Sequence, residues 1–175
     1  DPGSGQEWPF MARTAVTDVV IDVTDVNESP TFSQTSFSRT VDENSPAGTV
    51  VGAALTGSDP DAGDTAELRF FVVSGAEGTF EIADPATGVI TVTNNKLLDK
   101  ESRGVAFNLD VEIVDSEGMK GFASVAINLN DVNDAPTIAM LRVDVAEDIK
   151  AGSVVGRIDA RDQDLDQLRY AISGS

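Results

Sequence analysis

The stretch VAFNLDVEIV, residues 105–114, has an apolar side chain at every second position from Val105 to Ile113. Successive side chains of a β-strand point to opposite faces of the sheet, so this period of two predicts a strand with one buried face. The stretch GFASVAINLN, residues 121–130, continues the pattern and predicts a second strand. The side chains predicted to face the core are Val105, Phe107, Leu109, Val111, Ile113, Ala123, Val125, Ile127 and Leu129.

Five shorter stretches upstream also have strand character, and no stretch has the period of an amphipathic helix. The turn sequence DPATG, residues 84–88, predicts a hairpin between the last two of them. Seven strands without a helix predict an all-β fold, a Greek-key β-sandwich, with Val51, Phe70 and Ile90 also in its core. The five strands are expected at residues 36–41, 49–56, 67–73, 79–82 and 89–93.

One phrase of the sequence occurs twice. DVNESPTF (Asp25–Phe32), here called the first joint, returns 106 residues later as DVNDAPTI (Asp131–Ile138), the second joint. This spacing is the length of one sandwich domain and indicates tandem repeats. We predict the end of a preceding repeat at residues 1–29, a complete repeat at 30–135 and the start of a following repeat at 136–175.

The two flanks echo the complete repeat. Val19, Ile21 and Val23 match the last strand of the complete repeat, and AEDIKAGSVVG (residues 146–156) matches DENSPAGTVVG (residues 42–52). Neither flank has enough sequence for a core of its own, so we expect each to be poorly ordered or completed by another chain.

The composition excludes several classes of function. Thirty acidic residues against 12 basic ones give a formal net charge of −18, so nucleic acid is not an expected partner. Without His there is no Ser-His-Asp triad and no usual zinc site, and without Cys there are no disulfides. No apolar run approaches the ~20 residues that span a bilayer, so we expect membrane attachment only through segments outside this chain.

Acidic residues gather at the predicted ends of the sandwich. Asp59, Asp61 and Asp115 follow strands that end near the first joint, whereas Glu43 and the LDKE sequence (residues 98–101) lie towards the second. Clustered carboxylate and amide oxygens are the ligands of hard cations, and calcium accepts 6–8 of them with irregular geometry. Asp64 matches no such motif and is predicted to face solvent.

These motifs, in this order, resemble those of cadherin repeats: an early Glu-Asn, Asp-x-Asp, Leu-Asp-x-Glu, a late Asp after a long strand, and an Asp-x-Asn linker. The sequence DPDAGD (residues 59–64) is closer to bacterial or protist cadherin-like repeats than to vertebrate adhesion cadherins. The resemblance implies bound Ca²⁺. The implied ligands are Asp25, Asn27, Glu28, Glu43, Asp59, Asp61, Asp99, Glu101, Asp115, Asp131, Asn133, Asp134, Glu147, Asp162 and Asp164.

The resemblance also implies a function. It predicts an extracellular or cell-surface module whose calcium ions stiffen a rod of repeats for adhesion, and which is not an enzyme. Its expected partners are neighbouring repeats of the same chain and a protein, homophilic or heterophilic, or a surface glycan. The alternative is a carbohydrate-binding or accessory module of a larger extracellular protein. A glycosidase would need paired carboxylates in one cleft, whereas these lie at opposite ends of the domain.

Overall fold

The computed structural model describes residues 15–61, 63–104, 106–139 and 142–172. Between residues 31 and 130 it forms eight strands, one short helix, α1 (Lys100–Arg103), and two short 3-10 helices at Asp64–Ala66 and Asn95–Leu97. A further pair of short strands follows. The strands are β1 (Thr31–Phe32), β2 (Ser36–Asp42), β3 (Gly57–Ser58), β4 (Arg69–Ser74), β5 (Phe80–Glu81), β6 (Thr91–Val92), β7 (Ala106–Val114), β8 (Lys120–Asn130), β9 (Thr137–Ile138) and β10 (Ala160–Arg161).

The main sheet contains four strands in the order β2-β8-β7-β4. The two alternating stretches of the sequence, β7 and β8, pair antiparallel at its centre, with Leu109 opposite Val125. Strand β2 pairs with β8 in parallel over seven residue pairs, from Ser36 and Ser124 to Asp42 and Asn130. Because β2 follows the first joint and β8 leads into the second, this parallel pair connects the two joints directly.

Opposite the main sheet lie the β5–β6 hairpin, the segment around Val50, which bridges to Thr91, and the β1–β3 pair. Side chains from the two sides form one apolar cluster, in which the rings of Phe80 and Phe107 lie 4.9 Å apart, edge to face. The predicted all-β sandwich is confirmed.

The predicted register is correct. Ten of the residues predicted to face the core are buried, whereas Asn108 and Asp110, on the alternate face of β7, are exposed. Ala123 is half-buried against the core, and Val105 lies outside the described residues. The buried apolar residues that the sequence analysis did not name are Phe37, Val41, Leu55, Leu68, Phe80, Val92 and Leu98.

The predicted strand at residues 49–56 does not form. Only Val50 makes a β-bridge, and the segment is held by isolated main-chain bonds, from Val51 N–H to Ile90 O (2.9 Å) and from Leu55 N–H to Gly88 O (2.8 Å). Between them Gly52 has a positive φ of 66°, which turns the chain out of the extended conformation. The chain resumes pairing only at β3, which together with β1 was not predicted.

The flanks behave differently from each other. Val19, Ile21 and Val23 were predicted to lie in a strand, but they are exposed and belong to none, because no described strand lies beside them to share main-chain hydrogen bonds. Downstream, β9 pairs with β10 as β1 pairs with β3: Thr137 faces Arg161, and Thr31 faces Ser58. The start of the complete repeat is thus repeated in structure as well as in sequence.

A glycine shortly before β6 allows the main chain there to lie close to the segment that contains Leu55. Gly88 has a positive φ of 63°, and a Cβ atom there would lie 2.5 Å from the carbonyl oxygen of Leu55. We expect Gly88→Ala to lower the free energy of unfolding by about 2–3 kcal/mol, measured by urea denaturation in chelator. The control is Gly118→Ala, where φ is also positive but no atom lies within 4 Å, with an expected cost of ~1 kcal/mol. Equal costs would contradict the steric argument.

Candidate metal sites at the two joints

The first joint contacts the loop that follows β3. The main-chain N–H of Glu28 donates to Asp61 Oδ2 at 2.8 Å, and the Asn27 side-chain amide donates to Asp115 Oδ2 at 3.0 Å. A carboxylate oxygen from each of Asp25, Glu28 and Asp61 lies within 4.8 Å of the other two. The structure therefore brings together five of the six residues predicted at this joint, and the sixth, Asp59, lies beside Asp61.

Asp59 and Asp64 extend this acidic group. Oxygens of Asp59, Asp61 and Asp64 also lie within 4.8 Å of one another, and a cavity of about 220 Å³ opens beside Asp25, Asn27, Asp61 and Asp64. Asp64, which was predicted to face solvent, is half-buried beside Asp61. Asp64 begins the 3-10 helix that turns the loop back, and its main-chain N–H bonds to Asp61 O, so its side chain returns to the Asp-x-Asp pair.

Asp115 is buried and its orientation is fixed by its own loop. One carboxylate oxygen accepts the main-chain N–H groups of Glu117, Gly118 and Met119 at 2.6–2.9 Å, and the other accepts Asn27. Burial acts to raise the pKa of Asp115, but the hydrogen bonds from Asn27 and from the main chain outweigh it, and the pKa is lowered. Asp115 is therefore held as a carboxylate.

Other carboxyl groups of the first joint are destabilised in their charged form. The hydrogen bond with the Asp61 side chain and the charge of that side chain raise the pKa of Glu28. At Asp59 the hydrogen bond from the Asp61 main chain acts to lower the pKa, but burial and the charges of Asp61 and Asp115 outweigh it, so the pKa is raised. Negative charge at this joint exceeds what the protein's own donors compensate.

At the second joint Glu43 occupies a central position. Its side chain is 2% exposed, and its two oxygens accept the main-chain N–H groups of Val132 (2.8 Å) and Lys100 (2.7 Å). Glu43 thereby ties β2, α1 and the joint to one another. Oxygens of Glu43, Glu101 and Asp131 lie within 4.8 Å of one another, and we call these three residues the second-joint triad.

The LDKE motif supplies Glu101 of the triad from α1, and its Asp99 precedes that helix. Asp99 caps the helix by accepting the Ser102 N–H at 2.9 Å, and this bond lowers the pKa of Asp99. For Glu101, its own main-chain N–H acts to lower the pKa, but burial and the charges of Glu43 and Asp131 outweigh it and the pKa is raised. The short helix was not predicted, because four residues held by a local cap have no helical periodicity.

The loop that follows β10 contacts the second joint as the loop that follows β3 contacts the first. The main-chain N–H of Asp134 donates to Asp164 Oδ2 at 2.5 Å, which matches the bond from Glu28 to Asp61. The side chain of Asp134 accepts from Asn44 at 2.9 Å.

Three predicted ligands take part neither in the acidic groups nor in the contacts between a joint and the loop beside it. The Asn133 side-chain amide donates to the main-chain oxygen of Asp134, and Asp162 accepts the N–H of Asp166 within its own loop. Glu147 is exposed and belongs to neither acidic group in the part of the chain that the structure describes.

The donor sets suit a hard divalent cation. All predicted ligands offer oxygen, which calcium prefers, and neither Cys nor His is available to a softer metal. At the first joint Asp59 Oδ2 is buried without a hydrogen-bond partner, a costly arrangement that a cation ligated there would relieve. The residues present therefore fit calcium.

Comparison with known proteins agrees with the fold and the motifs. The profile of the family described as Cadherin domain matches residues 37–130, more than half of the chain. The chain belongs to the cadherin family. A cadherin-related human protein, cadherin-related family member 2, is 31% identical over 147 residues, which cover 83% of this chain and 11% of that protein.

Two further cadherins are similar to this chain. Protein dachsous of Drosophila melanogaster is 38% identical over 162 residues, covering 89% of this chain and 4% of that protein. The solved structure of protocadherin gamma B2 extracellular cadherin domains 1–5 is 33% identical with a TM-score of 0.54, covering 80% of this chain and 27% of that one. The chain thus spans a small part of the curated cadherins it matches.

Membership in the cadherin family confirms the predicted location outside the cell or at its surface. The closer likeness to bacterial or protist repeats is not borne out, since these relatives are animal proteins. The DPDAGD loop alone was too short a signal for that distinction. No helix among the described residues is long and apolar enough to span a bilayer.

Proposed function

We propose that this cadherin-family chain binds calcium at both joints and that the bound ions fix the angle between consecutive repeats of an extracellular adhesive rod. The observation that carries the proposal is the recurrence of one contact. A joint residue donates its main-chain N–H to the second Asp of an Asp-x-Asp sequence in the repeat that follows, at Glu28–Asp61 and at Asp134–Asp164. Scattered surface carboxylates give no reason for this contact to recur.

The two joints are approached by carboxylates from different sides. At the second joint, carboxylates of the proposed preceding repeat and of the joint form the second-joint triad, and Asp164 of the proposed following repeat accepts the N–H of Asp134. At the first joint, Asp25 and Glu28 of the joint form a group with Asp61 of the proposed following repeat. When bound, calcium supplies positive charge that offsets the repulsion raising the pKa values of Glu28, Asp59 and Glu101. The proposed repeats are residues 1–29, 30–135 and 136–175.

We propose neighbouring repeats of the same chain and a protein surface, of the same or another kind, as its partners. The relatives carry many more residues than this chain covers, and adhesive contact would be made by the assembled rod. The joints contribute to adhesion by keeping that rod extended.

A single ligand substitution tests the proposal. Glu101→Ala removes one member of the second-joint triad, and Glu101 is exposed and lies outside the apolar core. We expect calcium affinity at this joint to fall at least about tenfold, or ~1.4 kcal/mol, in calorimetric titration. The melting temperature in chelator should stay the same or rise slightly, because a repelling charge is lost.

The matched control is Glu81→Ala, which removes an exposed carboxylate on β5 that belongs to neither acidic group. Its calcium titration should superimpose on that of the unmodified chain. If Glu101→Ala binds calcium as tightly as Glu81→Ala does, Glu101 is not a ligand. If Glu101→Ala unfolds the domain in saturating calcium, its role is structural.

A further inference from the structure

A basic side chain pairs with one member of the acidic group at the second joint. Lys100 Nζ is 3.6 Å from Asp131 Oδ2, and the main-chain N–H of the same lysine donates to Glu43 Oε2 at 2.7 Å. Asp131 and Glu43 are two members of the second-joint triad, and the third, Glu101, is the next residue along the chain. Lys100 is therefore anchored to one proposed calcium ligand through its main chain while its charge pairs with another.

We propose that Lys100 is a built-in counter-cation of the second joint, which partly neutralises the triad when calcium is absent and lowers the joint's affinity for calcium. This inference rests on the proposed function and concerns the same site. Through this effect Lys100 raises the calcium concentration at which the joint becomes rigid.

The sign of the effect follows from simple electrostatics. In the absence of calcium the ammonium group attracts the carboxylates and offsets part of their mutual repulsion. When a divalent ion binds the same carboxylates, that attraction is largely cancelled and the lysine is repelled instead. The distance between the Lys100 ammonium group and Asp131, and those among the triad carboxylates, are shorter than the ~8 Å Debye length at physiological ionic strength. Salt therefore screens the attraction between these charges only in part.

The pair itself contributes little to folding. The side chains of Lys100 and Asp131 are 33% and 55% exposed, and ion pairs of this kind have small net effects on stability. The ion pair matters instead for calcium binding, because the ammonium group of Lys100 and a calcium ion compete for the same carboxylate oxygens. Among the described residues, no ion pair of this kind reaches the acidic group of the first joint, so the two joints differ in this respect.

Main-chain amide signals in NMR spectra of the ¹⁵N-labelled chain report each joint separately. The amides of Val132 and Lys100 donate to Glu43 and report calcium at the second joint, and the amides of Glu28 and Gly118 report the first. With Lys100→Gln we expect the midpoint of the calcium titration at the second joint to fall about fivefold, or ~1 kcal/mol. The midpoint at the first joint should stay unchanged.

Two further variants of the same residue separate charge from packing. Lys100→Met removes the charge but keeps an apolar stem, and we expect the same shift as for Lys100→Gln. Lys100→Arg keeps the charge and should keep the midpoint of the unmodified chain. Dispersion of the amide signals in each spectrum shows that the variant is folded.

Lys120→Gln is the control for net charge, because it loses the same unit charge. Lys120 pairs with Glu112 at the start of β8, at the far end of that strand from the second joint. The second-joint midpoint should stay unchanged in this variant. An equal shift in Lys120→Gln, or a shift of less than twofold in both Lys100→Gln and Lys100→Met, overturns the role of Lys100. Second-joint amides that do not respond to calcium in the unmodified chain overturn the proposed function itself.

Discussion

In 10 mM calcium the chain is expected to melt more than about 10 °C higher than in chelator. An ion that binds the folded joint but not the unfolded chain stabilises by about 2.7 kcal/mol when its concentration is a hundred times its dissociation constant. Extracellular calcium modules have dissociation constants of about 10⁻⁴–10⁻³ M, so two ions at the tight end of this range would add roughly 5 kcal/mol. For a domain of this size each 1 kcal/mol raises the melting temperature by about 4–8 °C.

Differential scanning calorimetry in calcium and in chelator measures this shift. Magnesium at the same concentration is the control, and it should produce a much smaller shift because it requires a stricter octahedral geometry and releases its water reluctantly. Proteolysis should slow at the first and second joints in calcium, and small-angle scattering should show a more elongated chain. Melting curves and scattering profiles that are the same in calcium and in chelator would contradict the proposed function at both joints.

The second large effect is expected for Glu43→Ala, and it should appear even in chelator. Glu43 is buried and accepts two main-chain N–H groups, from Val132 and Lys100. Removing the side chain takes the protein partner from both of these part-buried donors, and a group left unsatisfied on burial costs about 1–3 kcal/mol. We expect the free energy of unfolding to fall by about 3–5 kcal/mol, and the calcium-induced shift to fall as well.

The comparison with Glu101→Ala makes this result informative. Both residues belong to the second-joint triad, but Glu101 is exposed and supports no main-chain donor outside its own helix. Urea denaturation in chelator should therefore separate the two variants, with Glu43→Ala strongly destabilised and Glu101→Ala nearly unchanged. Equal stabilities in chelator would mean that the two hydrogen bonds of Glu43 contribute nothing to the fold.

The long strands could be predicted from the sequence because their signal is local. Strands β7 and β8 have apolar residues at every second position of one face, and every described core residue predicted from this period is buried or half-buried. The segment at residues 49–56 has the same β-branched composition, but Gly52 turns it and Gly88 holds it at close range. Whether such a segment pairs continuously depends on tertiary contacts that composition does not encode.

The candidate site could be predicted only in part for a similar reason. Recurring motifs identify which acidic residues belong to a joint, because recurrence is visible in the sequence. They do not reveal that both oxygens of Glu43 already accept main-chain donors, or that Lys100 lies against Asp131. They also give no sign that the side chain of Asp64 lies beside that of Asp61, because this contact depends on the turn of the loop. Some of these contacts join segments that lie far apart in the sequence, and the contact of Asp64 depends on the direction of the main chain in its loop. Neither is visible in a sequence motif.

The parallel pairing of β2 and β8 has a mechanical consequence. The chain passes from the first joint into β2 and leaves β8 for the second joint, so a pulling force applied across the two joints draws these adjacent strands in opposite directions. Their ladder of seven residue pairs is then loaded in shear, and its hydrogen bonds must yield together rather than one after another as in an unzipping hairpin. The β2–β8 pair that links the two joints is thus also the part of the sheet that bears a force applied between them.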